Sequence, residues 1–307
     1  MNYREIIAEA WHFAQEEKRP MYYFAFLPAL ITALAGIFFV VYQGVSLKRY
    51  FEHESGVLLD LLKFVISLIS ENPEYTLIGI VTLAIGAFMY LFYPSFSEAA
   101  LIEVISRKLN GQTIKMRQGV QFGFKNFFAV LEFNGLLSAV SITALIGYGT
   151  IILRTLGPEF LKIASVFLIV IGIISIVADF LFTYAKYYIV IDDLGVFAAL
   201  GKSTKLVINN FESVALIFLM LFLIGLRIIV NIVLILIIPG LIVLIAGFFA
   251  SIALNITGYV ISAVIGLVGI YLSGYLGGVV SVFAHAVWTL TFLKLTSEDN
   301  LSARDQG

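Results

Sequence analysis

Six stretches of this chain are each apolar and long enough to cross a bilayer: residues 21–42, 75–100, 129–153, 163–191, 212–238 and 257–293. A crossing helix needs about 20 apolar residues, and in hydrocarbon a helix is one of the few structures that satisfies its own backbone. The expected fold is therefore all-α: a polytopic transmembrane helix bundle. Hydrophobic residues make up 61% of the 307 and charged residues only 13%, against roughly a half and a quarter in a soluble domain. The segment 239–256 is apolar but short, with Pro239-Gly240 ahead of it and Asn255 near its end. That length fits a re-entrant or interfacial helix better than a full crossing. The last stretch is long for one crossing, so eight spans stay open beside the favoured six. Glu16, Glu17, Lys18 and Arg19 precede the first stretch and no small-residue cleavage site follows it, so no cleaved signal peptide is expected.

Lysine and arginine placement predicts the sidedness. Thirteen of these cations lie in the N-terminus, in 101–128, in 186–211 and in the C-terminal tail. Five lie in the opposite loops (Lys48, Arg49, Lys63, Arg154 and Lys162), and Arg227 falls within a span. Cytoplasmic loops carry the excess of such cations, so both termini are expected in the cytoplasm of a cell-membrane protein. A net charge of −1 offers no basic surface for nucleic acid. The absence of cysteine removes disulfides and thiolate metal sites.

A short phrase repeats three times near the inner ends of spans: Phe96-Ser97-Glu98-Ala99, Phe182-Thr183-Tyr184-Ala185 and Phe283-Ala284-His285-Ala286. An amphipathic stretch precedes each odd-numbered span, over 3–13, 114–128 and 196–210, with apolar residues at helical spacing (Ile6, Ile7, Ala10, Trp11; Val196, Ala199, Leu200). Such segments lie along a membrane surface. The chain thus reads as one transmembrane domain, 1–295, of three helical hairpins (3–110, 114–193 and 196–295), each led by an interfacial elbow helix. A polar tail, 296–307, is expected to be disordered. Asn110-Gly111 and Leu194-Gly195 supply helix stops. Pro94 is expected to kink the second span, and 56–70 reads as a surface helix.

Two landmarks resemble a known family. Tyr93-Pro94-Ser95-Phe96-Ser97-Glu98-Ala99-Ala100 is followed by Leu109-Asn110-Gly111-Gln112 and an elbow. Tyr188 to Asp193 leads into Leu194-Gly195-Val196-Phe197-Ala198-Ala199-Leu200-Gly201-Lys202-Ser203. Together they look like the membrane domain attached to some glycerophosphoryl diester phosphodiesterases and like its stand-alone bacterial and archaeal relatives. The resemblance implies a three-hairpin membrane fold. No segment is long enough to hold the soluble catalytic domain, and the stand-alone relatives are mostly of unknown function, so little follows about activity.

Charges within a bilayer cost at least ~2.5 kcal/mol each and call for a reason. Asp179 and Arg227 fall at depths about one helical turn apart and are expected to pair, with Ser175, Thr183 and Asn231 on the same polar stripes. Lys186 extends the Asp179 stripe. Glu98, Tyr184 and His285 form a candidate ring lining an inward-facing cavity, which Glu132, Asn134, Ser138 and Ser141 would extend. The plainer reading of both sets is structural: an ion pair that fixes helix packing, and interfacial polar groups bonded to neighbouring elbows. Ser262 with Gly266, and Gly269 with Ser273 and Gly277, form small-residue stripes suited to close helix packing, internal rather than between copies.

No catalytic motif occurs, no histidine spacing fits a metal, and neither an enzymatic activity nor a cofactor is expected. Two function classes remain. One is a non-catalytic membrane protein whose partners are membrane lipids, or other membrane proteins that it organises. The other is a transporter or channel for a small solute, lipid or ion with a cytoplasm-facing polar cavity. Three short parallel repeats count mildly against the second, since transporters are commonly built from two halves.

Overall fold

The computed structural model describes residues 3–52, 60, 63, 66–67, 73–226 and 255–304. No strand occurs among them. The helices are α1 (Tyr3–Glu16), α2 (Lys18–Phe51), α3 (Pro73–Leu109), α4 (Met116–Ser138), α5 (Ile142–Leu156), α6 (Pro158–Leu181), α7 (Ala185–Ile191), α8 (Val196–Asn209), α9 (Phe211–Leu226) and α10 (Asn255–Arg304). Four stretches can each cross a membrane: α2, Thr76–Leu109 of α3, α6, and Gly266–Ser297 of α10. The bent pairs α4 with α5 (48°) and α8 with α9 (97°) reach the same length together, which gives up to six spans. The chain is a multi-pass integral membrane protein.

The long helices divide along their length. In α3, Leu77, Ile78, Ile85 and Phe88 are exposed, whereas Ser95, Ser97, Ala99 to Ile102 and Val104 to Ser106 are buried. In α10, Leu267 and Val268 are exposed, and Val282, Phe283, Ala286, Val287, Leu290 and Phe292 are buried. Apolar side chains that would be a liability in water suit lipid, so the exposed lengths mark the hydrocarbon belt.

The chain divides into two compact units. The first comprises residues 1–33, 104–116 and 206–307. Here α1 lies on α10 through Ile6, Ala10 and Ala14, which recur every four residues and so share one face. Trp11 meets Phe283 edge-on at 5.5 Å. The start of α2 packs on α10 as well, beginning with a π-helical turn over Met21–Ala25. Gly274, Gly277 and Gly278 allow this approach: a Cβ at Gly278 would stand 3.1 Å from the Phe26 backbone, and one at Gly277 3.1 Å from Ala29 Cβ. The contact face therefore runs Gly274-x-x-x-Gly278 with Gly277 beside it. Of the expected stripe, Gly277 takes part, whereas Gly266 and Gly269 have open space around them.

The second unit comprises residues 34–103 and 117–205. Helices α5 and α6 form a hairpin joined by Gly157 alone, at φ +85°, with Pro158 opening α6. Glycine after a helix and proline at the start of the next are the favoured residues at those ends. Arg154 reaches from α5 to Ser46 on α2 and stacks 5.4 Å over the Tyr42 ring. Helix α4 buries Gly119, Gly123, Asn126, Val130 and Phe133 on one face. Gly123 lies against α3, where a Cβ would come within 2.7 Å of the Phe96 ring.

Several sequence expectations shift. The second elbow does not end at 128; α4 runs unbroken to Ser138, because its buried stripe continues past that point to Phe133. The bend falls at 139–141, where Ser141 caps α5 by accepting from the Ala144 N–H at 3.3 Å. The third elbow ends as expected, at the sharp turn beside Asn210. The tail is helical through Arg304 rather than disordered, since Leu295 is still buried and Thr296 bonds back to the Phe292 carbonyl. Helix α3 continues through Pro94. The segment 239–254 and most of 56–70 lie outside the described residues.

Candidate polar cluster and apolar groove

Helix α3 ends in a Schellman turn. Gly111, at φ +74°, donates to the Lys108 carbonyl and Gln112 to that of Arg107. Three turns earlier on α3 stands Glu98, with its side chain 18% exposed. Its two oxygens have separate donors: Lys186 Nζ at 2.6 Å and Asn134 Nδ2 at 2.9 Å. The same Asn134 nitrogen donates to Ser95 Oγ at 3.1 Å, one turn back on α3. Three helices, α3, α4 and α7, thus meet at one carboxylate. Bonds to an ionised group are roughly twice as strong as neutral ones, and pairing Glu98 with Lys186 removes the cost of leaving either charge alone in a low dielectric.

Lys186 can reach Glu98 because the helix breaks before it. α6 stops at Leu181, residues 182–184 form a turn, and α7 starts at Ala185. A break in a membrane helix releases backbone groups that need new partners. Ser203 on α8, wholly buried, supplies them: its hydroxyl donates to the Leu181 carbonyl at 2.8 Å and accepts from the Tyr184 N–H at 3.1 Å. At the other end of α7, Asn126 donates to the Val190 carbonyl at 3.3 Å. Lys125 then grips both oxygens of Asp193 at 2.6 Å. Asp193 holds the left-handed conformation, φ +54°, that the sequence had pointed to at Gly195.

The sequence-derived candidates fare unevenly. Glu98 is the centre of the cluster, and Asn134 joins it. Glu132, two residues before Asn134, is exposed. Ser138 and Ser141 bond to the backbone of the α4–α5 bend and extend no lining. Tyr184 is buried in the α6–α7 turn, its ring 6.3 Å from that of Tyr187. His285 is half-buried within α10, in the other unit. The three copies of the repeated phrase therefore differ locally, two lying inside helices and one across a break.

The expected stripe Ser175, Asp179, Thr183 is also cut by that break. Ser175 is buried, Asp179 is exposed near the end of α6, and Thr183 donates back to the Asp179 and Phe180 carbonyls. Arg227 and Asn231 lie outside the described residues. The pairing of Glu98 with Lys186 escaped the sequence reading because it ran one helix through 163–191 and so put Lys186 on the Asp179 face. The Ser203 of the Ala-Leu-x-x-Ser landmark was the available signal for a break.

The first unit contains a groove of about 250 Å³ between α9 and α10, lined by Phe218, Phe222, Gly225, Phe283, Ala284 and Trp288 among others. Phe218 and Trp288 face one another across 6.5 Å. Its lining is almost wholly apolar. Among the described residues no group of three His, Cys, Asp or Glu side chains is placed to hold a metal ion. Comparison with known protein families, characterised proteins and solved structures finds no match to this chain.

Proposed function

We propose that this membrane protein is non-catalytic and works by engaging membrane lipid, organising the bilayer and the proteins around it from the cytoplasmic face. The observation that carries this reading is the groove on α9 and α10. At about 250 Å³ it falls below the ~300–1,000 Å³ usual for a small-molecule site, and its apolar wall suits a length of acyl chain rather than a polar solute. The Glu98 cluster agrees, since its charges are engaged with one another. The bias of thirteen cations against five supports a cytoplasmic position for both termini. Kinship with the stand-alone relatives of the phosphodiesterase-linked membrane domain belongs to the same proposal and rests on Tyr93–Ala100 and Tyr188–Ser203.

Phospholipid retained by protein purified in mild detergent tests it. Gly225 lines the groove and has open space where a Cβ would stand, so Gly225→Phe can direct a ring into the groove. The variant should retain measurably less lipid per protein than the parent. Equal retention would remove the reading. Solute flux in proteoliposomes that depends on Asp179 would replace it with transport.

A further inference from the structure

The three elbows are not chemically alike. The first elbow, residues 3–13, carries two glutamates (Glu5 and Glu9) with one arginine, Arg4, and is followed by Glu16, Glu17, Lys18 and Arg19. Residues 112–128 carry Lys115, Arg117 and Lys125 and no acid, and 196–210 carry Lys202 and Lys205 and no acid. Packing differs in the same sense. The apolar face of α1 is used against α10. In α8, Val196, Ala199 and Ser203 are buried, and the opposite face presents Phe197, Gly201 and Lys205 at four-residue spacing with Lys202 alongside. In α4, Gly119, Gly123 and Asn126 are buried, and the opposite face presents Arg117, Gln121, Phe124 and Phe128. Phe128 is 78% exposed and Phe197 74%.

These two faces belong to one unit and are tied together. Lys125 holds Asp193, three residues before α8 begins, and Asn126 holds the Val190 carbonyl. Lys125 is neutralised by that contact, while Arg117 and Lys205 are exposed on the same faces as the phenylalanines, and Lys202, also exposed, stands 5.6 Å over the Tyr188 ring. Aromatic side chains set among cations, with no acid on α8 and none on α4 before the exposed Glu132 at its far end, are complementary to an interface of anionic headgroups over acyl chains.

We infer that the paired faces of α4 and α8 form a surface selective for anionic phospholipid, whereas α1 serves only as internal packing. This rests on the lipid-engaging reading and adds the headgroup class. Anionic lipid then gathers at Arg117, Lys202 and Lys205, with Phe128 and Phe197 sunk among the chains beneath.

The chain has no cysteine, so a single one reports cleanly. Ala198→Cys, exposed beside Phe197, is labelled with bimane in vesicles of phosphatidylcholine and phosphatidylglycerol at 3:1, brominated on one lipid at a time. Val268→Cys, on the apolar length of α10, is the control for insertion. At equal mole fraction, brominated phosphatidylglycerol should quench the Ala198 site about threefold more than brominated phosphatidylcholine. That excess should vanish when Arg117, Lys202 and Lys205 are all changed to Gln, with the control site unaltered. Equal quenching by both lipids at Ala198 would overturn the selectivity and leave lipid engagement standing. Quenching by neither, with the Val268 site quenched, would take the elbows out of the membrane and overturn the anionic-lipid surface, leaving the groove to its own test. An excess that survives the triple change would overturn the assignment to these cations.

Discussion

The two units are held together by different means. In the first, α1, α2 and α10 meet through small residues: Gly274, Gly277 and Gly278 receive Phe26, Ala29 and Leu30, with aromatic contacts at either side. In the second, α3, α4, α7 and α8 meet through directed polar contacts: Glu98 with Lys186 and Asn134, Lys125 with Asp193, and Ser203 at a broken helix. The contrast follows from the solvent. Lipid chains are as apolar as leucine, so helices in a bilayer gain little by burying apolar surface and must associate through close packing or hydrogen bonds. Each unit emphasises one of these, although Gly123 shows that the second also uses close approach, and Lys108 with Glu17 and Tyr3 with Ser213 show that the first also uses polar contacts. Close packing should be intolerant of added volume and indifferent to salt. Polar contacts should tolerate volume better and fail when one partner is lost.

The largest effect is expected in the glycine seam. Gly278→Leu places its Cβ against the Phe26 backbone, which cannot move aside as a side chain can. We expect a loss of about 3 kcal/mol, seen as a fall of melting temperature in detergent that does not change between low and high salt. A loss no greater than that of Gly266→Leu, which meets open space, would remove the seam from the account.

Next is the cluster in the second unit. Glu98→Gln or Lys186→Met strands the partner charge in a site where neither side chain exceeds 26% exposure, and each should cost about 2 kcal/mol. The double change should recover a large part of that loss. Strictly additive losses in the cycle would show that the two charges do not depend on one another.

The smallest effect is at Lys125 and Asp193. Their side chains are 59% and 55% exposed, so solvent screening limits Lys125→Ala to about 0.5 kcal/mol at low salt and less at high salt. A loss as large as that at Glu98 would mean that this contact is a principal tie between α4 and the α7–α8 turn.

Much of the fold was legible because membrane spans announce themselves by length and apolarity, and their ends by capping residues. The stop at Asn110-Gly111 and the sharp turn at Asn210 fall where the residues point. The site was less legible for two reasons. Hydropathy carries no signal for a three-residue break inside an apolar run, so 163–191 reads as one helix and the true neighbour of Lys186 is hidden. Small-residue spacing tells that two backbones approach but not which of two adjacent stripes is used, and here the stripe through Gly274 and Gly278 is the one in contact. Glu132 does not join Asn134 in the cluster because a two-residue offset on a helix turns a side chain by about 200°.

The three-hairpin arrangement requires the α5–α6 corner to lie on the opposite side of the bilayer from the ends of α3 and α7. Single cysteines at Glu159, Gln112 and Asp192, all exposed, can be probed in intact cells with a membrane-impermeant maleimide. Glu159→Cys should be labelled from outside, and Gln112→Cys and Asp192→Cys only after the membrane is opened. Labelling of Gln112→Cys or Asp192→Cys in intact cells, or protection of Glu159→Cys, would contradict the three-hairpin arrangement.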